Sequence, residues 1–557
     1  MKIKKEFLIL TCIFLAGVIA RIIKFKDSSL EMDFVAFSRL GKNLIESGRY
    51  VFGENYNVGV FFPPGYPIFI GLTDLLVNDL FVSTKLVSLF ASCITILLSY
   101  FIGKELYNKE SGLFAAFVYA LYPVILIISV DGYSDALFFC FLTFSLYLFI
   151  ISAKKDNFLI HALLGISFAM AYLTRPEGLF LLLLPFLQLL GVFTPLEREP
   201  HPSFLTGLTE KLHFNKKYLL KIFVVYSVFF LVISPYMLFL KDYTGKFGLS
   251  GKSDTSILLG ELSGDKGYHE IVNAPDNLYD KAAFTLTEDK TQLTGWDRKA
   301  NASLKDYILK DPVNLLKRYQ KNILQEIKTL TKLIIPIILP LFFSFFNREL
   351  FRNRMSLIFI ILPSIFFLLY PLFIIIEKQT LLIILFLILF SSGGFANSQS
   401  AVSELANYYS IKKNKIQQLL EKNIKYLIVI ILILSSLSYL KYSSFDKSSN
   451  PAEHERTGYY LKKYVSREYE KLNVMSRKPY VSFYSDSRFT MLPYANSTDV
   501  INFAKLYSVD YIVIDERALG KWEYYDELIK MDKYSNDVEL VYENSSEKLI
   551  KLFRVKR

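Results

Sequence analysis

The chain has 557 residues, of which 52% are hydrophobic, and it carries a formal net charge of +12. Lys and Arg lie mostly in short stretches between hydrophobic segments, which argues against a nucleic-acid-binding protein. The cysteines Cys12, Cys93 and Cys140 all lie inside apolar segments, so no disulfide framework is predicted. The scattered histidines, including His161 and His454, are interpreted as isolated surface or interfacial side chains rather than as metal ligands.

Apolar runs of about 17 residues or more recur through most of the chain, and each is long enough to cross a ~30 Å hydrocarbon core. They predict a polytopic α-helical membrane protein with about eleven transmembrane helices. The predicted spans are 7–23, 81–102, 112–130, 134–151, 158–173, 178–194, 218–240, 329–346, 355–376, 380–396 and 424–440. The first span is interpreted as a retained helix rather than a signal peptide, because its apolar stretch is long and Arg21 follows directly.

The basic residues predict the orientation, because Lys and Arg mark cytoplasmic loops. Placing the N-terminus in the cytoplasm puts most basic loops inside, and three larger segments, 24–80, 241–328 and 442–557, outside. The predicted domains are a transmembrane domain over 1–441 and an extracytoplasmic α/β domain over 442–557. In the second domain we predict strands and one helix from the apolar and β-branched patterns. The strands are 478–485, 509–515, 538–544 and 548–555, and the helix is 498–507.

The first outer segment begins with an acidic cluster, Glu31 and Asp33. Apolar residues at helical spacing follow, among them Phe34, Phe37 and Leu44, and they predict an amphipathic helix at the bilayer surface. Asp33 is expected near the N-terminus of that helix, where the helix dipole favours a negative charge.

Further charged residues are predicted at the same membrane face. Asp131 and Asp135 lie where the third and fourth spans meet, Arg175 and Glu177 lie between the fifth and sixth, and Lys378 lies in another outer loop. A carboxylate there suits a general base acting on an acceptor hydroxyl, and cations suit the binding of a leaving phosphate. The pattern indicates an enzyme that handles a charged lipid head group.

The sequence resembles the GT-C glycosyltransferases over nearly its whole length. The stretches "EMDFVAFSRLGKNLIESGRYVF" (31–52) and "FFPPGYPIFIGL" (61–72) look like the first outer loop of the group that contains protein O-mannosyltransferases and the aminoarabinose transferase of Gram-negative bacteria. "LTRPEG" (173–178) is similar to a second family motif. In "SDALFFCFL" (134–142) Asp135 replaces the usual Glu, and in "EKQTLLIIL" (377–385) Lys378 is the only cation.

The resemblance implies a polyprenyl-phosphate-linked sugar donor, with Asp33 as the catalytic carboxylate of an inverting transfer. By the same resemblance, the residues expected to bind substrate are Glu31, Pro64, Tyr66, Asp135, Arg175, Glu177 and Lys378. Neither a metal nor a cofactor is implied, although a divalent cation is compatible with the motifs. The acceptor is left open between a protein, a lipid and a glycan, and the expected location is the plasma membrane.

Two other functions stay open at the level of sequence. A transporter or flippase of lipid-linked sugars is the main alternative, although transporter sites usually lie near the bilayer midplane and often accompany inverted repeats. Here the acids are predicted at helix ends on one face, and no internal repeat is evident. A polytopic scaffold would leave the pattern of the first outer loop unexplained.

Overall fold

A computed structural model describes most of the chain. The described residues are 5–25, 32–155, 157–190, 192–193, 216–245, 247–249, 251, 278–294, 308–309, 311–347, 350–351, 353–372, 377–408, 415–442, 451–465 and 471–556. The described part is mainly helical, with one small sheet near the C-terminus.

The described helices are named in chain order. They are α1 Lys5–Lys24, α2 Met32–Ser47, α3 Gly65–Val77, α4 Leu80–Leu106, α5 Lys109–Leu121, α6 Pro123–Ile128, α7 Ser134–Lys154, α8 Phe158–Thr174, α9 Leu183–Leu189, α10 Lys216–Thr244, α11 Leu278–Phe284, α12 Pro312–Ile334, α13 Ile338–Phe345, α14 Ile358–Leu369, α15 Glu377–Ala396, α16 Ser398–Tyr408, α17 Lys415–Tyr442, α18 Ala452–Tyr464, α19 Tyr480–Tyr484, α20 Ser497–Leu506, α21 Glu516–Leu519, α22 Tyr525–Leu528 and α23 Met531–Tyr534. Short 3-10 helices are Val58–Val60, Pro176–Leu182, Ile335–Ile337, Arg354–Leu357 and Tyr370–Leu372. The strands are β1 Asn473–Ser476, β2 Arg488–Met491, β3 Tyr511–Asp515, β4 Val538–Asn544 and β5 Ile550–Val555.

The chain divides into two compact units. The first comprises Met1–Ser28, Lys85–Pro235 and Asn322–Asp446, and the second comprises Ser29–Thr84, Tyr236–Lys321 and Lys447–Arg557. In the first unit α7 packs on α8, α1 on α5, and α15 on α5, α13 and α14. The Arg21 side chain is fully buried there, and its guanidinium donates to Ser92 Oγ at 2.8 Å and to the carbonyl of Ala120 at 2.9 Å. A buried membrane charge whose donors are satisfied in this way is tolerated.

Within the described residues, seven helices are long and apolar enough to cross a membrane. They are Lys5–Lys24, Leu80–Leu106, Ser134–Lys154, Tyr218–Thr244, Pro312–Phe345, Arg354–Leu372 and Gln379–Ala396. Two other predicted spans are interrupted. The segment 112–130 breaks at Tyr122 because Pro123 follows, and 178–194 begins as the 3-10 helix that opens at Pro176. The multi-pass architecture is confirmed, and the number of spans stays a prediction.

In the second unit, helices α2 and α3 cross at two glycines. A Cβ atom built on Gly41 would lie 2.3 Å from the carbonyl oxygen of Pro67, and one on Gly71 would lie 2.5 Å from the carbonyl oxygen of Gly41. Only residues without a side chain permit this close approach of the two backbones. The crossing therefore fixes the helix that begins beside Asp33.

Replacing Gly41 by alanine is expected to lower the free energy of unfolding by about 1–3 kcal/mol, because α2 and α3 must move apart. Thermal unfolding of the purified full-length protein in detergent measures the change. Gly248→Ala is the matched control, since no atom of the described residues crowds its added Cβ within 4 Å. If both variants unfold at the wild-type temperature, the crossing is less tightly packed than described.

The second unit also contains the five-stranded sheet, in the order β2-β1-β3-β5-β4. β1 pairs in parallel with β2 and β3, whereas β5 pairs antiparallel with β3 and β4. The strands predicted at 509–515, 538–544 and 548–555 and the helix predicted at 498–507 are confirmed as β3, β4, β5 and α20. A small C-terminal α/β fold is therefore present.

The strand predicted at 478–485 is wrong, because this segment forms the short helix α19. Its aromatic residues Tyr480, Phe483 and Tyr484 have helical spacing and pack together against Phe34 and Val35 of α2. An extended strand would send alternate side chains to opposite faces and could not present these rings on one side. The packing partner lies more than 400 residues away in sequence, so the local pattern does not reveal it.

The interpretation of the histidines as isolated surface or interfacial residues is wrong for His454, which is 1% exposed and lies between carboxylates; His161 is also buried, at 5% exposed. In the second unit, His454 on α18 lies between two carboxylates, with Nδ1 3.4 Å from Glu453 Oε1 and Nε2 3.5 Å from Asp515 Oδ2. Burial alone would lower the pKa of His454, but the Asp515 and Glu453 carboxylates raise it to about 9. Arg517 completes the cluster by pairing with Glu453.

This cluster predicts that the C-terminal fold loses stability in alkaline solution. Because the pKa of His454 rises from 6.5 to about 9 on folding, its contribution is full below pH 6.5 and disappears as the pH passes 9. We expect a decline of up to about 3 kcal/mol across this window in the wild type and little decline in His454→Gln. Hydrogen-exchange protection factors of the β3 amides measure it in the full-length protein. Equal pH dependence in both proteins would contradict the assignment.

Candidate functional site

In the second unit, Asp33 lies in the first turn of α2 and is exposed to solvent. The residues that follow it are buried on every side of the helix, since all five residues from Phe34 to Ser38 are at most 4% exposed. The helix predicted after the acidic cluster is therefore confirmed, and its place at the bilayer surface stays a prediction. Packing around this buried segment anchors the helix, and the Asp33 carboxylate in its first turn stays exposed to solvent.

Charged and polar contacts hold α2 against the segment 480–488 of the same unit. The Arg39 guanidinium donates to Ser482 Oγ at 3.2 Å and to the carbonyl of Ser487 at 2.8 Å. Lys42 pairs with Asp486, with Nζ 2.8 Å from Oδ1. The aromatic packing holds α2 at Phe34, and the polar contacts hold it at Arg39 and Lys42. The helix is therefore held at several points along its length.

The Pro-Pro-Gly-Tyr-Pro element forms the start of α3 in the second unit. Pro64 is half-buried and occupies the N-cap position of the helix. Tyr66 is fully buried, and its hydroxyl donates to the carbonyl of Thr84 at 3.1 Å. The centroid of its ring lies 5.1 Å from the centroid of the Phe37 ring. These contacts tie the element to α2. A direct role of Pro64 or Tyr66 in substrate binding stays a prediction.

Sequence reasoning missed Lys478, which lies between β1 and α19 in the second unit. Lys478 is half-buried, and its Nζ lies 3.7 Å from Sδ of Met32, the residue before Asp33. Burial and the neighbouring Arg477 lower the pKa of Lys478 to about 8, while Asp280, Asp515 and Asp33 act in the opposite direction. No local signal marks Lys478, because its position beside α2 depends on long-range packing.

In the first unit, the structure brings Asp135, Arg175 and Glu177 together. Arg175 pairs with Asp135 and with Glu177, the latter at 2.8 Å between NH2 and Oε1. The side chains are 13% exposed for Arg175 and Glu177 and 5% exposed for Asp135. Asp135 begins α7 and Arg175 caps α8, so the ion pairs also join these packed helices.

A narrow crevice, with no room for a water-sized molecule, adjoins this cluster in the first unit. Its lining residues are Asp135, Phe138, Phe139, Arg175, Tyr370, Gln379 and Leu382. Tyr370 is 8% exposed, and its hydroxyl has an electrostatic neighbour in Glu326 on α12. Glu326 is fully buried, and within the described residues neither of its carboxylate oxygens accepts a hydrogen bond. The crevice therefore combines an aromatic wall with polar groups.

Sequence reasoning also missed Glu326, because the predicted span began only at residue 329. In the structure α12 begins at Pro312, so Asn322, Glu326 and Thr329 share one buried face of a helix. Their spacing of four and then three residues is the signal that would have revealed this polar stripe.

Two predicted site residues cannot be placed. Glu31 lies outside the described residues, and Lys378 belongs to α15 but its side chain is outside the described part. Among the described residues, no group of three or more His, Cys, Asp and Glu side chains has the arrangement of a metal site.

Comparisons with known proteins define the class of fold. Residues 62–209 match the family model described as dolichyl-phosphate-mannose-protein mannosyltransferase. ArnT from Cupriavidus metallidurans, solved with bound undecaprenyl phosphate, matches with a TM-score of 0.56 and 10% identity over 97% of each chain. The apo oligosaccharyltransferase of Archaeoglobus fulgidus matches with a TM-score of 0.56 and 14% identity over 96% of this chain and 73% of that one. A search of curated protein sequences gives no significant match.

These matches confirm the resemblance. The chain has the GT-C fold, with a multi-pass helical part and a small C-terminal sheet. A further structure, archaeal AglB from Archaeoglobus fulgidus in complex with an inhibitory peptide and a dolichol-phosphate, matches with a TM-score of 0.51 and 13% identity over 95% of this chain and 72% of that one. Over residues 62–209 the sequence itself is similar to protein mannosyltransferases.

Proposed function

We propose that this protein is a membrane glycosyltransferase that moves a sugar from a polyprenyl-phosphate donor to an acceptor on the extracytoplasmic face of the plasma membrane. The N-terminus is cytoplasmic in this proposal, and the C-terminal fold is extracytoplasmic. The observation that carries it is the position of Asp33, an exposed carboxylate in the first turn of a helix whose next five residues, Phe34 to Ser38, are buried. The GT-C fold supports the reaction class, and lipid phosphates occur in the structures of ArnT and AglB.

The proposed chemistry is a single displacement at the anomeric carbon. The Asp33 carboxylate accepts the proton of the acceptor nucleophile as the new bond to the sugar forms. The bond between the anomeric carbon and the phosphate oxygen breaks, and its electron pair leaves with the polyprenyl phosphate. Attack from the face opposite the leaving group inverts the anomeric configuration. The phosphate is already a weak base, so the transfer needs one carboxylate base and a cation rather than a second acid.

The remaining predicted site residues are proposed to bind substrate. Asp135, Arg175 and Glu177 form one charged cluster in the first unit, and this cluster is proposed to contact a polar group of the donor or acceptor. Two carboxylates offset the charge of Arg175, so it is better placed to orient a ligand than to neutralise a phosphate. Glu31, Lys378, Pro64 and Tyr66 stay in the proposal on the family resemblance.

Sugar transfer from a panel of radiolabelled polyprenyl-phosphate sugars tests the proposal. Membranes that contain the protein are compared with membranes from the same host without it, and label is followed into protein, lipid and glycan fractions. Transfer of label from one donor only when the protein is present supports the proposal. If the intact labelled donor crosses the bilayer and no sugar is transferred, the protein is a transporter and the proposed function is wrong.

A further inference from the structure

Lys478 contacts Met32, the residue before Asp33, in the second unit, and secondary structure holds its backbone on both sides. β1 ends at Ser476, whose hydroxyl donates to the carbonyl of Lys478 at 2.7 Å. Pro479 follows at the N-cap of α19, and that helix packs on α2. The side chain reaches Met32, with 3.7 Å between Lys478 Nζ and Met32 Sδ. The ammonium group is therefore held beside the first turn of α2.

Within the part of the chain that the structure describes, the charges around Lys478 leave its ammonium without a close counter-ion. The preceding Arg477 is buried and pairs with Asp280, which also accepts a hydrogen bond from Trp522 Nε1 at 3.0 Å. Among the described residues, no carboxylate forms a salt bridge with Lys478. Asp280, Asp515 and Asp33 act on it only at longer range. A half-buried cation of this kind can still bind an anion from outside the protein.

We propose that Lys478 binds the phosphate of the lipid-linked donor beside Asp33. This inference rests on the proposed function and adds the group that stabilises the leaving phosphate. A lysine ammonium binds phosphate as a point charge with three donors. As the bond between sugar and phosphate breaks, negative charge builds up on the phosphate oxygens, and a cation already in place stabilises it. The carboxylate that accepts the proton and the ammonium that receives the phosphate then lie at one site.

Other cations are less suited to this role. Arg477 is neutralised by Asp280, and Arg39 and Lys42 are engaged with the segment around Asp486. In the first unit Arg175 is paired with two carboxylates. Each of these cations would have to leave a partner in order to bind phosphate, whereas Lys478 would replace a sulfur contact.

The surroundings of Lys478 also predict how binding depends on pH. Burial and Arg477 lower the pKa of Lys478 to about 8, although the carboxylates of Asp280, Asp515 and Asp33 act to raise it. The protonated form binds phosphate, so affinity is expected to be full near pH 7 and to fall as the pH rises through about 8. Arginine at this position stays charged over the whole range and would remove the fall.

Binding of undecaprenyl phosphate to the purified full-length protein in detergent tests the inference, with undecaprenol as the probe that lacks the phosphate. Lys478→Met is expected to weaken binding of undecaprenyl phosphate roughly 10- to 100-fold, the value of a charge-assisted hydrogen bond, and to leave binding of undecaprenol unchanged. Lys478→Arg is expected to retain binding above pH 8. Lys521→Met, at an exposed position of the same unit, is the control and should bind as the wild type does.

Wild-type affinity in Lys478→Met, or a fall near pH 8 that persists in Lys478→Arg, would overturn the inference. Equal weakening for both probes would also overturn it, because Lys478 would then act on the lipid chain or the fold. The proposed function fails separately, when the wild type transfers sugar from no donor of the panel. If the wild type transfers sugar and Lys478→Met transfers it equally well, only the role of Lys478 is wrong.

Discussion

Replacing Asp33 by asparagine is expected to reduce the rate of sugar transfer about 10²- to 10⁴-fold, the usual contribution of a general base. Asparagine has almost the same shape but cannot accept the proton of the acceptor. Because the Asp33 side chain is exposed at the end of α2, the fold should be unaffected. The measurement is the transfer rate at saturating donor and acceptor, with the protein level of both forms determined in parallel.

Asp526→Asn provides the control for this prediction. Asp526 is also exposed and begins a short helix, α22, in the second unit, but it lies in no candidate site. It should transfer sugar at the wild-type rate. Asp33→Glu keeps the carboxylate on a longer side chain and should retain more activity than the asparagine form. Equal rates in the wild type and in Asp33→Asn would show that another group takes the proton.

Replacing Arg175 by glutamine is expected to lower the free energy of unfolding by about 3–5 kcal/mol, because it leaves two buried carboxylates without their cation. Asp135 and Glu177 are 5% and 13% exposed, so solvent compensates them little. Thermal unfolding of the purified protein in detergent measures the loss. Lys505→Gln, which breaks the exposed pair with Asp537, should cost less than about 1 kcal/mol and is the matched control.

A triple variant separates the structural role of the Arg175 cluster from its role in binding. Asp135→Asn, Arg175→Gln and Glu177→Gln together leave no buried charge unpaired, so most of the lost stability should return. Sugar transfer should not return, because the charges proposed to orient the ligand are absent. If the triple variant is stable and fully active, these residues hold α7 and α8 together and do not bind substrate.

The sequence predicted the parts of the fold that depend on local patterns. The helix α2, with an acid in its first turn, was predictable because its apolar residues recur at helical spacing and no proline interrupts it. The strands β4 and β5 were predictable because their apolar and β-branched residues are bounded by polar turns.

Long-range packing explains what the sequence did not reveal. The segment 478–485 has the composition of a strand, but Phe34 and Val35 of α2 select a helix that turns its aromatic rings to one side. Lys478 reaches Met32 only because that helix packs there. His454 is buried between acids that come from α18 itself and from the end of β3. None of these partners is near in sequence except Glu453.

The measurement that most directly tests the central claim is the anomeric configuration of the transferred sugar, determined by NMR on product made from a donor of known configuration. We expect the anomeric configuration to be inverted, because one carboxylate, Asp33, activates the acceptor for a single displacement of the lipid phosphate. Retention of configuration would contradict it, since retention implies two displacements with a nucleophile from the protein forming a covalent intermediate.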